Sequence, residues 1–454
     1  MATSPLDNDA LQARLAQLSP ERRALLERKL REAASLPQSA APAQHIGRRN
    51  SSGPVPLTPG QELLWALDQA VPGVVAYNVP RVLKISGSIN VDAWQAALDM
   101  VVQRHEALRT RFINTEDGAR QVVDAPSRVP LECIDLRASH HNQATVSSLV
   151  VERIQRPFNL AHDLMLRATL IRSAEHEYTA LLLSHHIVCD EWSRDVTFAE
   201  IGRAYNALLM GTALEQPPLS IQYADYAVWL QDAMGDGALV SQMAYWRAQL
   251  DALTTLDLPT DRPRSAVPSF VGARTRVLLP RTLLDGARAL ARSRDVTLNM
   301  VLLAAYNVLL ARHSGQTDIV VGSPVSSRRY PELEHLIGYF PNAVVLRTRL
   351  DHDPSFNTLL GQTRDTCLAA YEHQDVPLEK LALELRSGGQ LGHEPLFNVW
   401  FVMQAERAER LELTGAVVQP QPTDYATAKF DILLGAAEQE DGLHLVLEYR
   451  TELF

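Results

Sequence analysis

The feature that most constrains the fold is a run of apolar residues that ends in two adjacent histidines. The segment "YTALLLSHH" (178–186) is continuously apolar before the histidines, which is typical of a strand covered on both faces. The segment "SRDVTFAEIGRAYNALL" (193–209) places four large apolar residues on one face of a helix. We therefore predict that His185 and His186 lie between a buried strand and a helix.

Strand and helix patterns alternate from Leu57 onward, which predicts an α/β or α+β fold. With 454 residues, 46% of them hydrophobic, the chain is long enough for two cores. The segment "LPTDRPRSAVPSF" (258–270) concentrates three prolines and three charges and marks an interruption. We predict an N-terminal lobe over residues 53–257 and a C-terminal lobe over residues 258–454.

Residues 1–52 differ from the rest of the chain. In "LSPERRALLERKL" (18–30), Ser19 is suited to be an N-cap and Pro20 to be the first helical residue, so a short amphipathic helix is expected. A flexible linker follows. The helix could dock on its own protein, or it could be a docking element for another chain.

The formal net charge of −10 argues against a nucleic-acid partner, because such proteins carry a basic surface. No run of 18 apolar residues occurs, so no membrane partner is expected. Three widely spaced cysteines favour neither a disulfide framework nor a zinc cluster, and no metal is predicted. These features suggest a protein of the reducing cytoplasm.

Histidine beside a strand end can act as a base, because its ordinary pKa lies near neutrality. In the pattern HHxxxD, His186 can face a cavity while His185 turns back into the fold. Asp190 is then expected to hold the loop by pairing with an interior arginine. The two adjacent histidines alone are a weak motif, since 14 histidines in 454 residues give roughly 0.4 adjacent pairs by chance.

Seven short motifs strengthen this pattern, because they occur in one order from about Leu57 to Phe454. The motifs are "LTPGQELLWALDQ", "RHEALRTRF", "SHHIVCDEWS", "YADYAVW", "IGYFPNAVVLR", "HQDVPLE" and "HEPLFNVWFVMQ". With these motifs in this order, the chain resembles the condensation domains of nonribosomal peptide synthetases.

The resemblance implies two lobes similar to chloramphenicol acetyltransferase, arranged as a V with a tunnel that passes the histidine loop. It implies an acyltransferase that forms an amide bond between two carrier-bound substrates. Donor and acceptor would arrive on phosphopantetheine arms of separate carrier proteins, so those arms are substrates and no covalent cofactor is expected. Holding both arms in place would supply much of the rate.

The resemblance also implies roles for individual residues. His186 would be a general base or a positioning group, while His185 and Asp190 complete the motif with structural roles. Arg104 and Arg109 are the expected partners of Asp190.

Two further motif residues are assigned by the same resemblance. Asn342 would line the tunnel or stabilise a turn. Trp192 in "DEWS" makes the chain similar to the subclass of condensation domains that joins two L-configured residues.

Several positions depart from the family pattern. Glu191 replaces the usual glycine, where it could narrow the tunnel, raise the basicity of His186, or point outward at the helix start. Other changes are Leu63, Ser327, Pro341 and Ala343. Together they keep open an alternative: a catalytically impaired domain that serves as a docking platform.

Carrier proteins are usually acidic, so local basic surface is needed to bind them. The candidate contacts are Arg262, Arg264, Arg274, Arg276, Arg328 and Arg329. We expect the donor to arrive from a different polypeptide and an adenylation domain to follow in the parent chain. A coenzyme A-dependent acyltransferase with the same loop is a second alternative.

Overall fold

The computed structural model describes residues 45–50, 53–138, 143–235, 237, 239–265, 269–387, 395–404 and 411–454. Residues Gly47–Phe454 form one compact unit. The predicted helix that begins near Ser19 and Pro20 lies outside the described residues, so the N-terminal docking element stays a prediction.

Ten α-helices and fourteen strands occur in the described ranges. The helices are α1 (Pro59–Ala70), α2 (Val91–Arg104), α3 (Gln143–Ile154), α4 (Glu191–Met210), α5 (Tyr223–Ala233), α6 (Val240–Gln249), α7 (Arg281–Ser293), α8 (Leu298–Ser314), α9 (Phe356–Glu372) and α10 (Leu378–Ser387). The strands are β1 (Val55–Pro56), β2 (Asn78–Gly87), β3 (Thr110–Thr115), β4 (Gly118–Val123), β5 (Leu131–Asp135), β6 (Leu166–Ala174), β7 (Glu177–His185), β8 (Gly272–Pro280), β9 (Asp318–Ser326), β10 (Pro341–Arg349), β11 (Val399–Gln404), β12 (Ala416–Pro420), β13 (Ile432–Gln439) and β14 (Gly442–Arg450).

A five-stranded sheet in the order β12, β2, β7, β6, β5 positions the histidines. Strand β7 pairs antiparallel with both β2 and β6, so it lies inside the sheet. Its residues Ala180 to Leu183 are at most 4% exposed. The prediction of a strand covered on both faces is therefore confirmed.

Five residues separate the end of β7 from the start of helix α4, whose apolar spacing predicts a helix. Ile201 and Tyr205 of α4 are fully buried, and the Tyr205 ring meets Trp94 of α2 edge-on at 6.4 Å between centroids. At its C-terminus the helix ends on Gly211, whose positive φ of 63° favours glycine. Because α4 is fixed against α2, the short loop before it is held at both ends.

A six-stranded sheet in the order β10, β9, β11, β13, β14, β8 forms the second large layer. Strand β11 runs parallel to β9 and β13, whereas the other pairs are antiparallel. On β10, Val345 and Arg347 are buried and Arg349 is exposed. Arg347 tolerates burial because it pairs with Asp318 at 2.6 Å and donates to the carbonyls of Gln249 and Asp251.

The five-stranded sheet takes one edge strand from the part of the chain that otherwise forms the six-stranded sheet. Strand β12 follows β11 in the chain, yet it pairs antiparallel with β2 and becomes an edge of the five-stranded sheet. The lobe boundary at residue 258 stays a prediction. In the described ranges no single helix is long and apolar enough to cross a membrane, and α7 with α8 passes on length and composition only as a pair bent by 106°.

Candidate active site

The histidine loop is fixed by backbone contacts on both sides. Strand β7 ends at His185, and a 3-10 turn (His186–Val188) leads to Asp190, which caps the N-terminus of α4. The backbone N–H of His186 donates to the carbonyl of Tyr77 at 2.8 Å. The side chains of both histidines therefore leave a rigid backbone in defined directions.

His185 is a structural residue by its contacts. Its side chain is buried, and its Nδ1 accepts a hydrogen bond from the backbone N–H of Ile187 at 3.2 Å. The ring meets Phe158 edge-on. Burial, reinforced by the charge of Lys429, lowers the pKa of His185 to about 3, so the ring is neutral at physiological pH.

His186 is bonded through one ring nitrogen. Its Nδ1 lies 2.6 Å from the carbonyl oxygen of Cys189, and a carbonyl only accepts, so Nδ1 carries the proton. The neutral ring then has a lone pair on Nε2, which has no hydrogen-bond partner among the described residues.

The surroundings of His186 favour that neutral form. The half-buried ring meets Tyr339 edge-on at 5.2 Å between centroids. Burial first, and then the charge of Lys429, lowers the pKa of His186 well below its ordinary value. Such a nitrogen can accept a proton from an attacking amine.

Asp190 is held by an ion pair with Arg328. Arg328 Nη2 donates to Asp190 Oδ1 at 2.9 Å, and Ser193 donates to the same oxygen through its backbone N–H at 2.7 Å and its hydroxyl at 2.6 Å. Arg328 Nε reaches Oδ2 at 3.2 Å. We call Asp190, Ser193 and Arg328 the Asp190 clamp. It joins the start of α4 to the segment after β9.

The clamp is buried and its polar groups have partners. The side chain of Arg328 is 1% exposed, lies 4.0 Å from the Phe340 ring centroid, and donates to the carbonyls of Leu333 and Leu336. The backbone N–H of Gly338 donates to the Ser193 hydroxyl oxygen at 3.1 Å, and a Cβ at Gly338 would strike Tyr223. The proposed carrier contact through Arg328 is therefore wrong, because this arginine lies in the interior.

The expected pairing of Asp190 with Arg104 or Arg109 is also wrong. Arg104 Nε donates to Glu200 Oε1 at 2.9 Å, and His105 Nε2 lies 2.9 Å from Glu200 Oε2. Arg109 donates to the carbonyl of Asp124. The packing of α2 on α4 offers Arg104 a nearer acceptor in Glu200, and Arg109 is held beside Asp124, whose backbone N–H donates to the Arg109 carbonyl at 3.0 Å.

Glu191 points outward at the first residue of α4. Its side chain is 58% exposed and pairs with Arg81 and Arg194. Of the three alternatives for this position, the outward orientation at the helix start agrees with the structure. Neighbouring Trp192 donates its indole N–H to the carbonyl of Glu334 at 2.8 Å, so it ties α4 to the segment that the Asp190 clamp also holds.

The side-chain amide of Asn342, on β10, is fully hydrogen-bonded, and three of its four bonds go to the segment from Gln374 to Leu378. Its Nδ2 donates to the carbonyls of Gln374 at 2.8 Å and Val376 at 2.9 Å. Its Oδ1 accepts from the backbone N–H of Ala343 and of Leu378. These bonds fit the alternative in which Asn342 stabilises a turn.

The other arginines assigned to carrier binding have partners within the chain. Arg264 pairs with Asp431, Arg276 with Asp424, Arg329 with Asp375 and Arg274 with Glu448, while Arg262 donates to the carbonyls of Thr451 and Phe454. Their role in binding a carrier protein stays a prediction.

Sequence reasoning missed three residues around the site, Ser193, Glu200 and Lys429, and it assigned the wrong role to Arg328. Glu200 could have been found, because it lies next to Ile201 on the buried side of α4. Lys429 had a different signal, since the chain contains only four lysines among 43 basic residues.

Comparison with known proteins places this geometry in a family. A model of the condensation domain matches residues 51–454. One of the linear gramicidin synthase proteins of Brevibacillus parabrevis is 42% identical over 405 residues, which are 88% of this chain and 5% of that protein. The chain thus spans a small part of this multidomain relative.

Solved structures share the fold. The X-domain from teicoplanin biosynthesis matches with a TM-score of 0.83 and 28% identity, covering 90% of this chain and 93% of that one. A second structure shows that X-domain in complex with OxyB. The first condensation domain of the CDA synthetase matches with a TM-score of 0.76 and 19% identity, covering 89% and 92%. The mixed α/β fold and the resemblance are confirmed, and the chain belongs to the condensation domain family of nonribosomal peptide synthetases.

Proposed function

We propose that this domain forms an amide bond between a donor acyl or peptidyl thioester and the amine of an acceptor aminoacyl thioester. The observation that carries the proposal is the state of His186. Its Nδ1–H is committed to the Cys189 carbonyl, so the free Nε2 of a half-buried, neutral ring is available to the amine. Both substrates would be phosphopantetheine-bound on carrier proteins.

The proposed reaction needs positioning more than covalent help, because an amine is already a good nucleophile toward a thioester. The amine nitrogen attacks the donor carbonyl carbon, His186 Nε2 accepts the amine proton, and the carbon–sulfur bond breaks. The donor thiol leaves with a proton and the acceptor carries the longer chain. A true general base contributes about 10²–10⁴-fold to such a step.

The test offers the protein three kinds of substrate pair. Donor-loaded and acceptor-loaded carriers form the first, the matching coenzyme A thioesters the second, and one of each the third, with mass spectrometry as the readout. We expect amide product on the acceptor carrier. Product from coenzyme A thioesters alone would instead support the coenzyme A-dependent acyltransferase.

A docking platform is the second candidate function. The likeness to the X-domain, which has been solved in complex with OxyB, favours it. It predicts no amide from any substrate pair, together with binding of a second protein. The His186 geometry favours catalysis over this alternative, because a platform needs no imidazole nitrogen without a hydrogen-bond partner.

The proposed partners follow from the reaction. Donor and acceptor carrier proteins would bind at separate surfaces, and an adenylation domain would follow in a parent synthetase. The cytoplasmic location and the specificity for two L-configured residues, suggested by Trp192, remain part of this proposal.

A further inference from the structure

Lys429 is unusual for this chain before any contact is considered. The sequence uses 39 arginines and only four lysines, which are Lys29, Lys84, Lys380 and Lys429. Lys84 and Lys380 are exposed, whereas Lys429 is half-buried in the segment between β12 and β13. A compact ammonium on a flexible stem has thus been placed inside a protein that otherwise relies on arginine.

The backbone around Lys429 is firmly held. The N–H of Ala428 donates to the carbonyl of Phe270 at 2.9 Å, and Arg450 donates to the carbonyl of Lys429 at 3.2 Å. Gly272 permits this approach, because a Cβ there would lie 2.5 Å from the Ala428 side chain. The lysine side chain therefore starts from a fixed position.

The ammonium reaches toward the histidine loop. Lys429 Nζ lies 4.9 Å from the ring centroid of Tyr77, and the carbonyl of the same Tyr77 anchors the backbone of His186. The charge of Lys429 acts on both His185 and His186, where it is the second cause, after burial, of their lowered pKa values. The lysine and the catalytic imidazole therefore share one neighbourhood.

The cations around Lys429 have carboxylate partners, and Lys429 has none in the described residues. Arg81 pairs with Glu191, and Arg274 binds Glu448 at 2.6 Å. The ring of Tyr77 lies against the ammonium and offers it only a face. A half-buried ammonium without a bonded anion is suited to receive a negatively charged or strongly polar oxygen from a ligand.

Burial lowers the pKa of Lys429 to about 8, so the ammonium form still predominates at neutral pH. Glu448 and Cys189 oppose that shift, whereas Arg274 and Arg81 add to it. The titratable and charged groups that face Lys429 are Tyr77, Arg81, His185, His186, Cys189, Arg274, Glu448 and Arg450.

We infer that Lys429 is a catalytic residue whose ammonium binds the carbonyl oxygen of the donor thioester and stabilises the oxyanion that forms when the acceptor amine attacks. This inference rests on the proposed amide-forming function. As the carbon–nitrogen bond forms, the carbonyl electron pair moves to the oxygen beside Lys429, and the amine proton moves to His186 Nε2. The carbonyl then re-forms, the carbon–sulfur bond breaks, and the thiolate takes up that proton.

The first test compares Lys429→Met and Lys429→Arg with wild type, using the carrier-bound donor and acceptor pair that wild type converts. Removing one oxyanion donor typically lowers kcat by 10²–10³-fold, so Lys429→Met should lose about 10²-fold or more in kcat with little change in the donor KM. Lys429→Arg keeps a cation and should recover most of that loss. Lys84→Met, on an exposed lysine, is the matched control and should behave as wild type.

The second test is the pH profile, since a purely structural lysine would not set it. The wild-type rate should fall above about pH 8, as the Lys429 ammonium loses its proton, and Lys429→Arg should move this fall to higher pH. The acceptor amine contributes equally to both enzymes. Labelling of lysines with acetic anhydride across pH, read by mass spectrometry, should show Lys429 titrating near pH 8.

The outcomes separate the inference from the function on which it rests. If wild type forms amide and Lys429→Met keeps its kcat, or if both variants share the wild-type pH profile, Lys429 does not stabilise the oxyanion. If wild type forms no amide from any substrate pair, the proposed function itself fails, whatever the lysine does. A folded Lys429→Met protein, checked by circular dichroism, is required for either conclusion.

Discussion

The two ends of the HHxxxD loop are only four residues apart and are built in opposite ways. At one end, the carboxylate of Asp190 is surrounded by donors from Ser193 and Arg328. At the other, the ring of His186 donates one hydrogen bond and leaves Nε2 without a partner in the described residues. A buried group with all its hydrogen bonds made stabilises the fold, whereas a nitrogen without a partner can still bond to a substrate.

The largest expected effect is a loss of activity at the His186 end of the loop. His186→Ala should lower the rate of amide formation by about 10²–10⁴-fold, because the free Nε2 is lost. Its free energy of unfolding should fall by about 1–3 kcal/mol, since the carbonyl of Cys189 loses its donor. Single-turnover kinetics and urea denaturation measure the two quantities.

His313→Ala, on the exposed face of α8, is the control for His186→Ala and should change neither quantity. A variant without the His186 imidazole that keeps the wild-type rate would break the comparison. The ring would then be structural, like that of His185.

The second prediction concerns the Asp190 clamp and is a loss of stability. Asp190→Ala or Arg328→Met leaves a buried charge unpaired and should cost about 3–5 kcal/mol in the free energy of unfolding. The double variant should cost less than the sum of the two, because neither charge remains. Urea denaturation of all four proteins gives the coupling energy.

Arg329→Met is the matched control for the clamp. Arg329 is the next residue and also pairs with an aspartate, Asp375, but both side chains are more than 40% exposed. The expected change is at most about 1 kcal/mol. Strictly additive effects of Asp190→Ala and Arg328→Met would contradict the clamp.

A third prediction extends the comparison to Asn342, which resembles Asp190 in being fully bonded. Asn342→Ala leaves the carbonyls of Gln374 and Val376 without their donor and should lower the free energy of unfolding by about 1–3 kcal/mol. Asn357→Ala, at an exposed position of α9, should have little effect. If Asn342→Ala were as stable as wild type and only the acceptor KM changed, Asn342 would line the tunnel.

The smallest effect is expected at Glu191, which lies beside Asp190 but points outward. Glu191→Gly should cost about 0.5–1 kcal/mol in stability, because glycine weakens the first turn of α4. The rate should stay within about 3-fold of wild type. Glu191→Gln is the matched control, because it keeps the helix and removes only the charge. A tenfold gain in rate for Glu191→Gly would mean that the side chain obstructs the substrate.

The sequence predicted the local frame of the site but not its partners. A continuous apolar run and a helical spacing are enough to place β7, α4 and the loop between them, because both patterns are local. The partner of Asp190 depends on how α4 meets the segment after β9, which is 138 residues away in the chain. Periodicity carries no information on such a contact.

The sequence also did not show which basic side chains are buried. Arg328 and Arg329 are adjacent and identical in type, yet one is in the interior and the other is exposed. Lys429 shows the same limit, since its position beside Tyr77 follows from the pairing of Ala428 with Phe270. Composition alone marked it, as one of four lysines.

The position of β12 has a consequence for how the chain can be divided. Because this strand is encoded after β11 but hydrogen-bonds to β2, a polypeptide ending near residue 258 would expose the edge of β2 that β12 covers. Cleavage of the backbone in the proline-rich segment would therefore leave two fragments held together by the pairing of β12 with β2. Each fragment alone would lack the partner of one of these strands. We therefore expect residues 51–454 to be transferable between proteins only as one undivided unit.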